Sequence, residues 1–162
     1  MGSARLTPLL LLIAAGAVVG TALLSQYVGG LVPCELCLAE RWPYYIILAL
    51  NLVALLAGNL RLTRLILGLS AVVFLVGAGL GAYHVGVEQH WIAGPTACTG
   101  GETGGAKSIE DLQKLLLQQQ PVRCDEVQWS LFGVSLAGWN FLISLVLLAF
   151  TLSRLRQIGR SA

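Results

Sequence analysis

Residues 6–27 of the chain read LTPLLLLIAAGAVVGTALLSQY, a run without a charged side chain. At about 1.5 Å of helix rise per residue, about 22 residues extend roughly 33 Å, enough to cross a hydrocarbon core of about 30 Å. A cleaved secretory signal is the alternative, because Arg5 precedes the run. The apolar region of such a signal would be shorter, about 7–15 residues, and would end at a small-residue cleavage site. We therefore interpret residues 6–27 as a retained membrane span.

Three further apolar runs without charged residues follow, at residues 42–60, 65–87 and 127–153. The whole chain is 56% hydrophobic and 11% charged, whereas a soluble domain carries about 25% charged residues. So few charged residues cannot cover a surface that faces water. We therefore expect most of the chain to lie in a lipid bilayer. We predict an all-α membrane protein with one domain over residues 1–162, a bundle of four transmembrane helices.

Basic residues lie mostly on one side of these spans, which predicts the orientation. They precede the first span, separate the second from the third, and follow the fourth: Arg5, Arg61, Arg64, Arg154, Arg156 and Arg160. The positive-inside rule makes this side cytoplasmic and both termini cytoplasmic. The loops 28–41 and 88–126 then lie outside and hold all eight acidic residues. A net charge of +2 without a basic patch gives no reason to expect nucleic acid.

The second outer loop contains a glycine-rich stretch over residues 94–105 and then a different pattern. Ser108 followed by Asp111 is typical of a capping box, and apolar residues repeat at helical spacing after it. Residues 108–119 therefore predict a short amphipathic helix. It can lie on the membrane surface or pack on the ends of the bundle, and the sequence favours neither arrangement.

All four cysteines, Cys34, Cys37, Cys98 and Cys124, lie in the two outer loops. A zinc site is one interpretation, but a C-x-x-C, a gap of about 60 residues and a pair about 25 residues apart are poor zinc spacing. Structural staples suit Cys98 with Cys124, where loop closure is worth about 3–4 kcal/mol. Cys34 and Cys37 close almost no chain, so a redox or metal role suits them better. Together the pairs favour a thiol–disulfide relay.

A relay needs two pairs for a physical reason. Exchange runs through a mixed disulfide with a partner that docks from water, whereas an apolar electron acceptor lies in lipid. One pair cannot face both.

Arg41 follows Cys37 by one helical turn, where a cation favours the thiolate. The alternative is an interfacial arginine paired with a lipid phosphate. His84, near the outer end of its span, can accept or relay a proton, or can be an ordinary hydrogen-bonded interfacial histidine.

The chain resembles the disulfide bond formation protein B (DsbB) family of bacterial inner membranes. Residues 33–41 read PCELCLAER, similar to the family pattern P-C-x-L-C-x-x-E-R, and they follow the first span. Cys98 and Cys124 occupy the long outer loop between the third and fourth spans, as in that family. The resemblance covers essentially the whole chain.

That resemblance implies an inner-membrane protein, its cysteine loops periplasmic, that reoxidises a periplasmic thioredoxin-like dithiol oxidase of the DsbA type with ubiquinone or menaquinone and needs no metal. Cys98 would form the mixed disulfide with the partner, and Cys124, once released, would attack Cys34. Cys37 would then meet the quinone beside Arg41, while His84 matches the family pattern only loosely. A vitamin K epoxide reductase type of quinone reductase is a second enzyme class, although its C-x-x-C lies near the last helix. A metal-binding or purely structural membrane protein is the non-enzymatic alternative.

Overall fold

The computed structural model describes residues 3–95 and 123–160. Helix α1 spans Ser3–Tyr27, and a short helix α2 (Glu35–Ala39) leads directly into α3 (Arg41–Ala57). Helix α4 spans Leu60–Glu88. A small antiparallel hairpin follows, β1 (Ser130–Leu131) and β2 (Val134–Ser135), and the last helix α5 spans Leu136–Arg160. Residues 96–105 of the glycine-rich stretch, Cys98 among them, and the helix predicted for residues 108–119 lie outside the described residues.

Four of these segments are long and apolar enough to cross a membrane: 5–27, 35–57, 60–88 and 136–158. Much of their large apolar surface is exposed, with Ile13 61%, Leu56 74% and Val146 66% accessible. Such a surface is the lipid-facing side of a bundle, since soluble monomers rarely expose contiguous apolar patches. The predicted class, an all-α four-helix membrane protein, is confirmed.

Each long helix packs on the next one along the chain, whereas the first and the last make little contact with each other. α1 packs on α3, α3 on α4, and α4 most extensively on α5, whereas α1 and α5 barely touch. Side-chain hydrogen bonds also join the helices: Asn51 Nδ2 of α3 donates to Ser70 Oγ of the adjacent α4 over 3.1 Å, and Tyr44 Oη of α3 donates across the bundle to Asn140 Oδ1 of α5 over 2.7 Å. Hydrogen bonds of this kind help to specify helix pairing in lipid.

The turn between α3 and α4 is shorter than the charge pattern indicates. Gly58 ends α3 with a left-handed backbone (φ 61°), and the side chain of Asn59 caps α4 by accepting hydrogen bonds from the backbone N–H groups of Arg61 and Leu62. Arg61 and Arg64 therefore lie in the first turns of α4, not between the helices. Long cationic side chains allow this, because they extend toward the headgroups while their stems stay against apolar surface.

The last helix begins at Leu136, nine residues after the apolar run begins at Val127. The intervening residues form the hairpin, whose turn residues Phe132 and Gly133 both have positive φ (54° and 77°). Consecutive positive φ angles are typical of a tight two-residue hairpin. Apolar composition alone does not reveal it, because Trp129, Leu131 and Phe132 suit either a span or an interfacial hairpin. The helix also continues past Ser153 to Arg160.

Helix α4 lies close to α5 at Gly81, where a Cβ atom would lie 3.0 Å from the backbone of Phe141. We expect Gly81→Ala to push the helices apart and to lower the free energy of unfolding by about 1–3 kcal/mol. Gly79→Ala on the same helix is the control, since a Cβ atom at this position would have nothing within 4 Å. Unfolding in mixed detergent with rising SDS measures both, and equal midpoints would contradict the close approach.

Candidate active site

The C-x-x-C pair lies where the chain enters α2. Cys34 is the N-cap residue, with an extended backbone (φ −75°, ψ 172°), and its sulfur accepts a hydrogen bond from the backbone N–H of Cys37 at 3.3 Å. The two Sγ atoms lie 2.9 Å apart, and both cysteines are free thiols. A pair held this closely at a helix start is suited to alternate between dithiol and disulfide.

A buried histidine–glutamate pair lies behind Cys34. His84 Nε2 is 3.7 Å from Cys34 Sγ, and His84 Nδ1 is 2.8 Å from Glu40 Oε1. His84 is 3% exposed and Glu40 8%. Because His84 belongs to α4 and Glu40 to the junction of α2 and α3, the contact ties α4 to the cysteine turn. A carboxylate that orients a ring against a nucleophile is the arrangement by which proteins activate thiols and hydroxyls.

These contacts lower the pKa of the Cys34 thiol below its usual range. The hydrogen bond with the Cys37 thiol contributes most, and the His84 ring and the Cys37 backbone N–H act in the same direction. Burial of the thiol acts to raise the pKa, but this effect is smaller than the combined effect of the hydrogen bonds. The dithiol state therefore favours the thiolate, the reactive form of cysteine, at Cys34.

A third cysteine joins the same buried cluster from a distant part of the sequence. Cys124 is disulfide-bonded and 1% exposed, and it packs in a cluster with Cys34, Leu36 and Val87. A disulfide therefore lies close to the free C-x-x-C pair. The pairing of Cys124 with Cys98 stays a prediction, since Cys98 lies outside the described residues.

Arg41 is held against the end of α1. Its Nη1 donates to Gln26 Oε1 at 2.7 Å, and its Nη2 makes a longer contact of 3.5 Å with the carbonyl of Ala22. Its side chain lines the same cavity as Cys37. Glu40, between Cys37 and Arg41 in the sequence, keeps a right-handed helical backbone (φ −64°, ψ −17°), so α2 leads directly into α3.

That cavity, of about 510 Å³, opens between α1 and α5, the two helices that barely touch. Its walls are mainly apolar, and the polar residues that line it include both cysteines of the C-x-x-C pair and Glu40, Arg41, Tyr44 and His84. Asn140 also lines it, and the Nδ2 of this side chain is buried without a hydrogen-bond partner among the described residues. An apolar pocket with a few convergent polar groups, among them the donors of Arg41 and Asn140, suits a largely apolar ligand that carries hydrogen-bond acceptors.

Two residues of this site are not predicted from the sequence. Glu40 is one of the eight outer acids, and only its place in the C-x-x-E-R motif beside the cysteines could have singled it out. Asn140 lies inside an apolar run, where a polar side chain is a functional candidate by default. His84, which the sequence leaves open between a proton-handling role and an ordinary hydrogen-bonded histidine, lies 3.7 Å from Cys34 Sγ. Three donor atoms, Cys34 Sγ, Cys37 Sγ and one ring nitrogen of His84, also lie within 4.8 Å of one another.

The structure combines four membrane-crossing helices, a free C-x-x-C pair and a disulfide in the same buried cluster. This combination is typical of a multi-pass membrane protein that carries out thiol–disulfide exchange. The chain belongs to the disulfide bond formation protein B family, since the family model "Disulfide bond formation protein DsbB" matches residues 4–153. It is thus a membrane protein of disulfide bond formation, with a disulfide-forming oxidoreductase role.

Relatives named for this family cover nearly the whole chain. The chain is 30% identical to disulfide bond formation protein B of Polaromonas naphthalenivorans, over 94% of this chain and 92% of the relative. It is also 30% identical to that of Chromohalobacter salexigens, over 96% and 92%. Disulfide bond formation protein B 1 of Pseudomonas aeruginosa is 28% identical, over 94% of both chains. No solved structure matches the chain.

The hydrogen bonds at Cys34 predict how its pKa responds to substitution. Removing the largest contribution, in Cys37→Ala, should raise the pKa of Cys34 more than His84→Gln does, because the Cys37 thiol is the leading cause of the shift. Cys37→Ser is the matched control, since its hydroxyl still donates and should preserve part of the shift. The pH dependence of Cys34 alkylation, measured with Cys98 and Cys124 replaced by serine, reports the pKa. When Cys37 and His84 are unchanged, the Cys34 thiolate should be lost only as the pH falls well below neutrality. An ordinary pKa of Cys34 in that protein would contradict the assignment.

Proposed function

We propose that the protein is a dithiol:quinone oxidoreductase. It would reoxidise a periplasmic thioredoxin-like dithiol oxidase and pass the electrons to a membrane quinone, ubiquinone or menaquinone. The observation that carries the proposal is one cavity, between two lipid-facing helices, whose lining includes both thiols of the C-x-x-C pair and the Arg41 guanidinium. The disulfide-bonded Cys124 lies in the same buried cluster as Cys34, which supports exchange between the two redox pairs of the proposed relay.

The fit to a quinone head rests on the donors around the cavity. Arg41 offers guanidinium N–H groups, and the buried Nδ2 of Asn140 lacks a partner among the described residues, so both can donate to ligand carbonyls. Tyr44 fixes Asn140 by donating to its Oδ1 at 2.7 Å. The apolar walls suit the ring and its isoprenoid tail. When bound, the quinone supplies an acceptor for two electrons and two protons.

Electron transfer is proposed to proceed by balanced thiol–disulfide exchange. A partner thiolate attacks Cys98 of a Cys98–Cys124 disulfide, which forms the mixed disulfide and releases Cys124 as a thiolate. Cys124 then attacks Cys34 of an oxidised C-x-x-C pair, so the Cys34–Cys124 bond forms, the Cys34–Cys37 bond breaks and Cys37 leaves as a thiolate. The acidity of the Cys34 thiol suits it to be a good leaving group later in the cycle.

The cycle closes through the partner. Its second thiolate attacks the partner sulfur of the mixed disulfide, which releases the oxidised partner and leaves Cys98 as a thiolate. Cys98 attacks Cys124 in the Cys34–Cys124 bond, re-forms its own disulfide and frees Cys34. Cys34 and Cys37 are then a dithiol while Cys124 is disulfide-bonded, the redox state of these residues in the structure. Re-forming the Cys34–Cys37 disulfide delivers two electrons and two protons to the quinone.

The His84–Glu40 pair is proposed to handle the protons of this last step. His84 Nε2 is the ring atom near Cys34 Sγ, and Glu40 holds Nδ1, so the ring is oriented with one nitrogen toward the sulfur. His84 Nε2, 3.7 Å from Cys34 Sγ, is the base proposed to take a proton from that sulfur. Glu40 would stabilise the ring while it carries that proton.

We also propose that the protein lies in the bacterial inner membrane with the cysteine end of the bundle in the periplasm. Six arginines flank the opposite ends of the spans, and such a bias sets orientation. An oxidising compartment at the cysteine end is consistent with a disulfide at Cys124.

A quinone-reduction assay with a reduced thioredoxin-like oxidase tests the function directly. Wild-type protein should reduce quinone only when that dithiol is supplied, and Arg41→Leu should lower turnover roughly 10²–10³-fold if the guanidinium acts in the transition state. If Arg41 instead positions quinone, the apparent KM for quinone should rise. Arg61→Leu at the opposite end is the control and should match wild type. In both arginine variants, a partner that retains only its attacking cysteine should still be trapped at Cys98.

Two outcomes would count against this scheme. Quinone reduction at the wild-type rate and KM in Arg41→Leu would remove Arg41 from the quinone site. Peptide mapping that finds the trapped partner mainly on Cys124 would reverse the proposed order of the two outer-loop cysteines.

Orientation is tested with a membrane-impermeant maleimide on intact, reduced spheroplasts. The native cysteines should react, because the cysteine end is proposed to face the periplasm. A single cysteine introduced at Ser161 of a cysteine-free variant should react only after the membrane is permeabilised. Reaction of that cysteine in intact spheroplasts would place the C-terminus outside and overturn the topology.

A further inference from the structure

The reduced C-x-x-C pair and His84 form a set of donors with a second chemical capacity. Cys34 Sγ, Cys37 Sγ and a ring nitrogen of His84 lie within 4.8 Å of one another, and Cys34 and His84 are buried. Two sulfurs and one imidazole nitrogen are the ligand types that borderline-soft divalent cations such as Zn²⁺ prefer. This set differs from a four-cysteine zinc site, because it uses one residue of α4 and leaves out Cys98 and Cys124.

The distances are close to those that tetrahedral coordination needs. Bonds of about 2.3 Å to sulfur and about 2.0–2.1 Å to nitrogen place a sulfur and a nitrogen ligand about 3.5 Å apart, and two sulfurs about 3.7 Å apart. Cys34 Sγ and His84 Nε2 already lie 3.7 Å apart. The sulfurs, now 2.9 Å apart, need to separate by less than about 1 Å, which a small rotation of the partly exposed Cys37 side chain supplies.

Glu40 completes the arrangement behind the ring. Its Oε1 lies 2.8 Å from His84 Nδ1, which leaves Nε2 directed at the sulfurs. A carboxylate that holds the outer nitrogen of a ligating histidine is the usual support of a zinc ligand and fixes its tautomer. The same cavity supplies an entry path, because its lining extends from these residues to Glu126, whose side chain is 68% exposed. A fourth ligand position can be taken by water from that side.

We propose that the reduced protein binds one Zn²⁺-class cation at Cys34, Cys37 and His84, and that the bound cation reversibly inhibits the enzyme. Binding displaces the thiol protons to solvent and transfers no electrons. While both sulfurs are metal ligands, neither is free to form the Cys34–Cys37 disulfide, so the pair cannot release its electrons. The inhibitory part rests on the proposed quinone-linked function, whereas metal binding itself does not.

Binding is tested on the full-length, detergent-solubilised protein with Cys98 and Cys124 replaced by serine and the remaining thiols reduced. Co²⁺ is the probe, since thiolate-to-cobalt charge-transfer absorption and tetrahedral d–d bands report sulfur ligands. We expect one Co²⁺ per chain, displaced by Zn²⁺. Cys34→Ser and Cys37→Ser should each abolish the charge-transfer band at equimolar metal, or shift it with loss of stoichiometric binding.

The histidines provide a matched pair of variants. His84→Gln should lower Zn²⁺ affinity, and Glu40→Gln should lower it roughly 10–100-fold by removing the support of the ring. His90→Gln should leave affinity unchanged, because His90 is exposed and its nearest charged contact is Asp125 at 3.9 Å. Equal affinities in His84→Gln and His90→Gln, or a cobalt spectrum that survives removal of both Cys34 and Cys37, would overturn the site.

Inhibition is measured on protein that keeps all four cysteines. The measured quantity is the rate at which quinone reoxidises the Cys34–Cys37 dithiol. Equimolar Zn²⁺ should stop this reaction, and a chelator should restore it fully. Unchanged reoxidation with Zn²⁺ bound would overturn the inhibitory role. The binding measurement needs neither quinone nor partner, so its failure leaves the relay intact. A protein that binds Co²⁺ at these residues but never reduces quinone would overturn the proposed function and leave the metal site standing.

Discussion

The contact between Glu40 and His84 is the interaction on which the site depends. In a low-dielectric interior, a polar group buried without a partner costs about 1–3 kcal/mol or more, so each of these two side chains is tolerable because the other is present. Their 2.8 Å contact fixes the last turns of α4 against the junction of α2 and α3. The ring of His84 is thereby held beside Cys34, and the redox pair is placed by a contact between helices as well as by its own local turn.

The space for a ligand follows from how the four helices share their contacts. α4 packs closely on α5 because Gly77 and Gly81 leave room for Ser144 and the backbone of Phe141. α1 packs on α3 instead, so α1 and α5 are left barely touching and a cavity opens between them. Ser135 Oγ donates to Glu88 and accepts from the backbone of Gly138, which joins the end of α4 to the start of α5 at the cysteine end. A tight helix pair on one side and a loose one on the other thus give the redox pair both a rigid support and access to lipid.

The fold class was readable from the sequence because uncharged runs of spanning length have few other interpretations, whereas the edges of the spans were not. Charges at Arg61 and Arg64 suggested a loop that the structure places inside α4, and apolar residues 127–135 suggested helix where a hairpin forms. The proximity of Cys34 and Cys37 is local and follows from their spacing. The contacts of His84 with Cys34, 50 residues away, and with Glu40, 44 residues away, are long-range and do not follow from the spacing of these residues. They depend on how α4 is rotated about its axis, which a single sequence does not specify for a helix that is apolar on every face.

Redox chemistry and metal binding draw here on the same physical property, the stabilisation of sulfur as a thiolate. Hydrogen bonds from the Cys37 thiol, the His84 ring and a backbone N–H lower the pKa of Cys34, and thiol–disulfide exchange and metal coordination both use the thiolate form of cysteine. What separates the two outcomes is the oxidation state. A Cys34–Cys37 disulfide has no thiolate to offer a cation, whereas the dithiol has two sulfurs beside an oriented imidazole. Since a turning-over enzyme is a dithiol only until its acceptor arrives, the supply of acceptor would decide how long the coordinating form exists. In the proposed scheme Cys34 and Cys37 both release the electrons and bind the cation, so metal binding and electron transfer exclude each other at this pair.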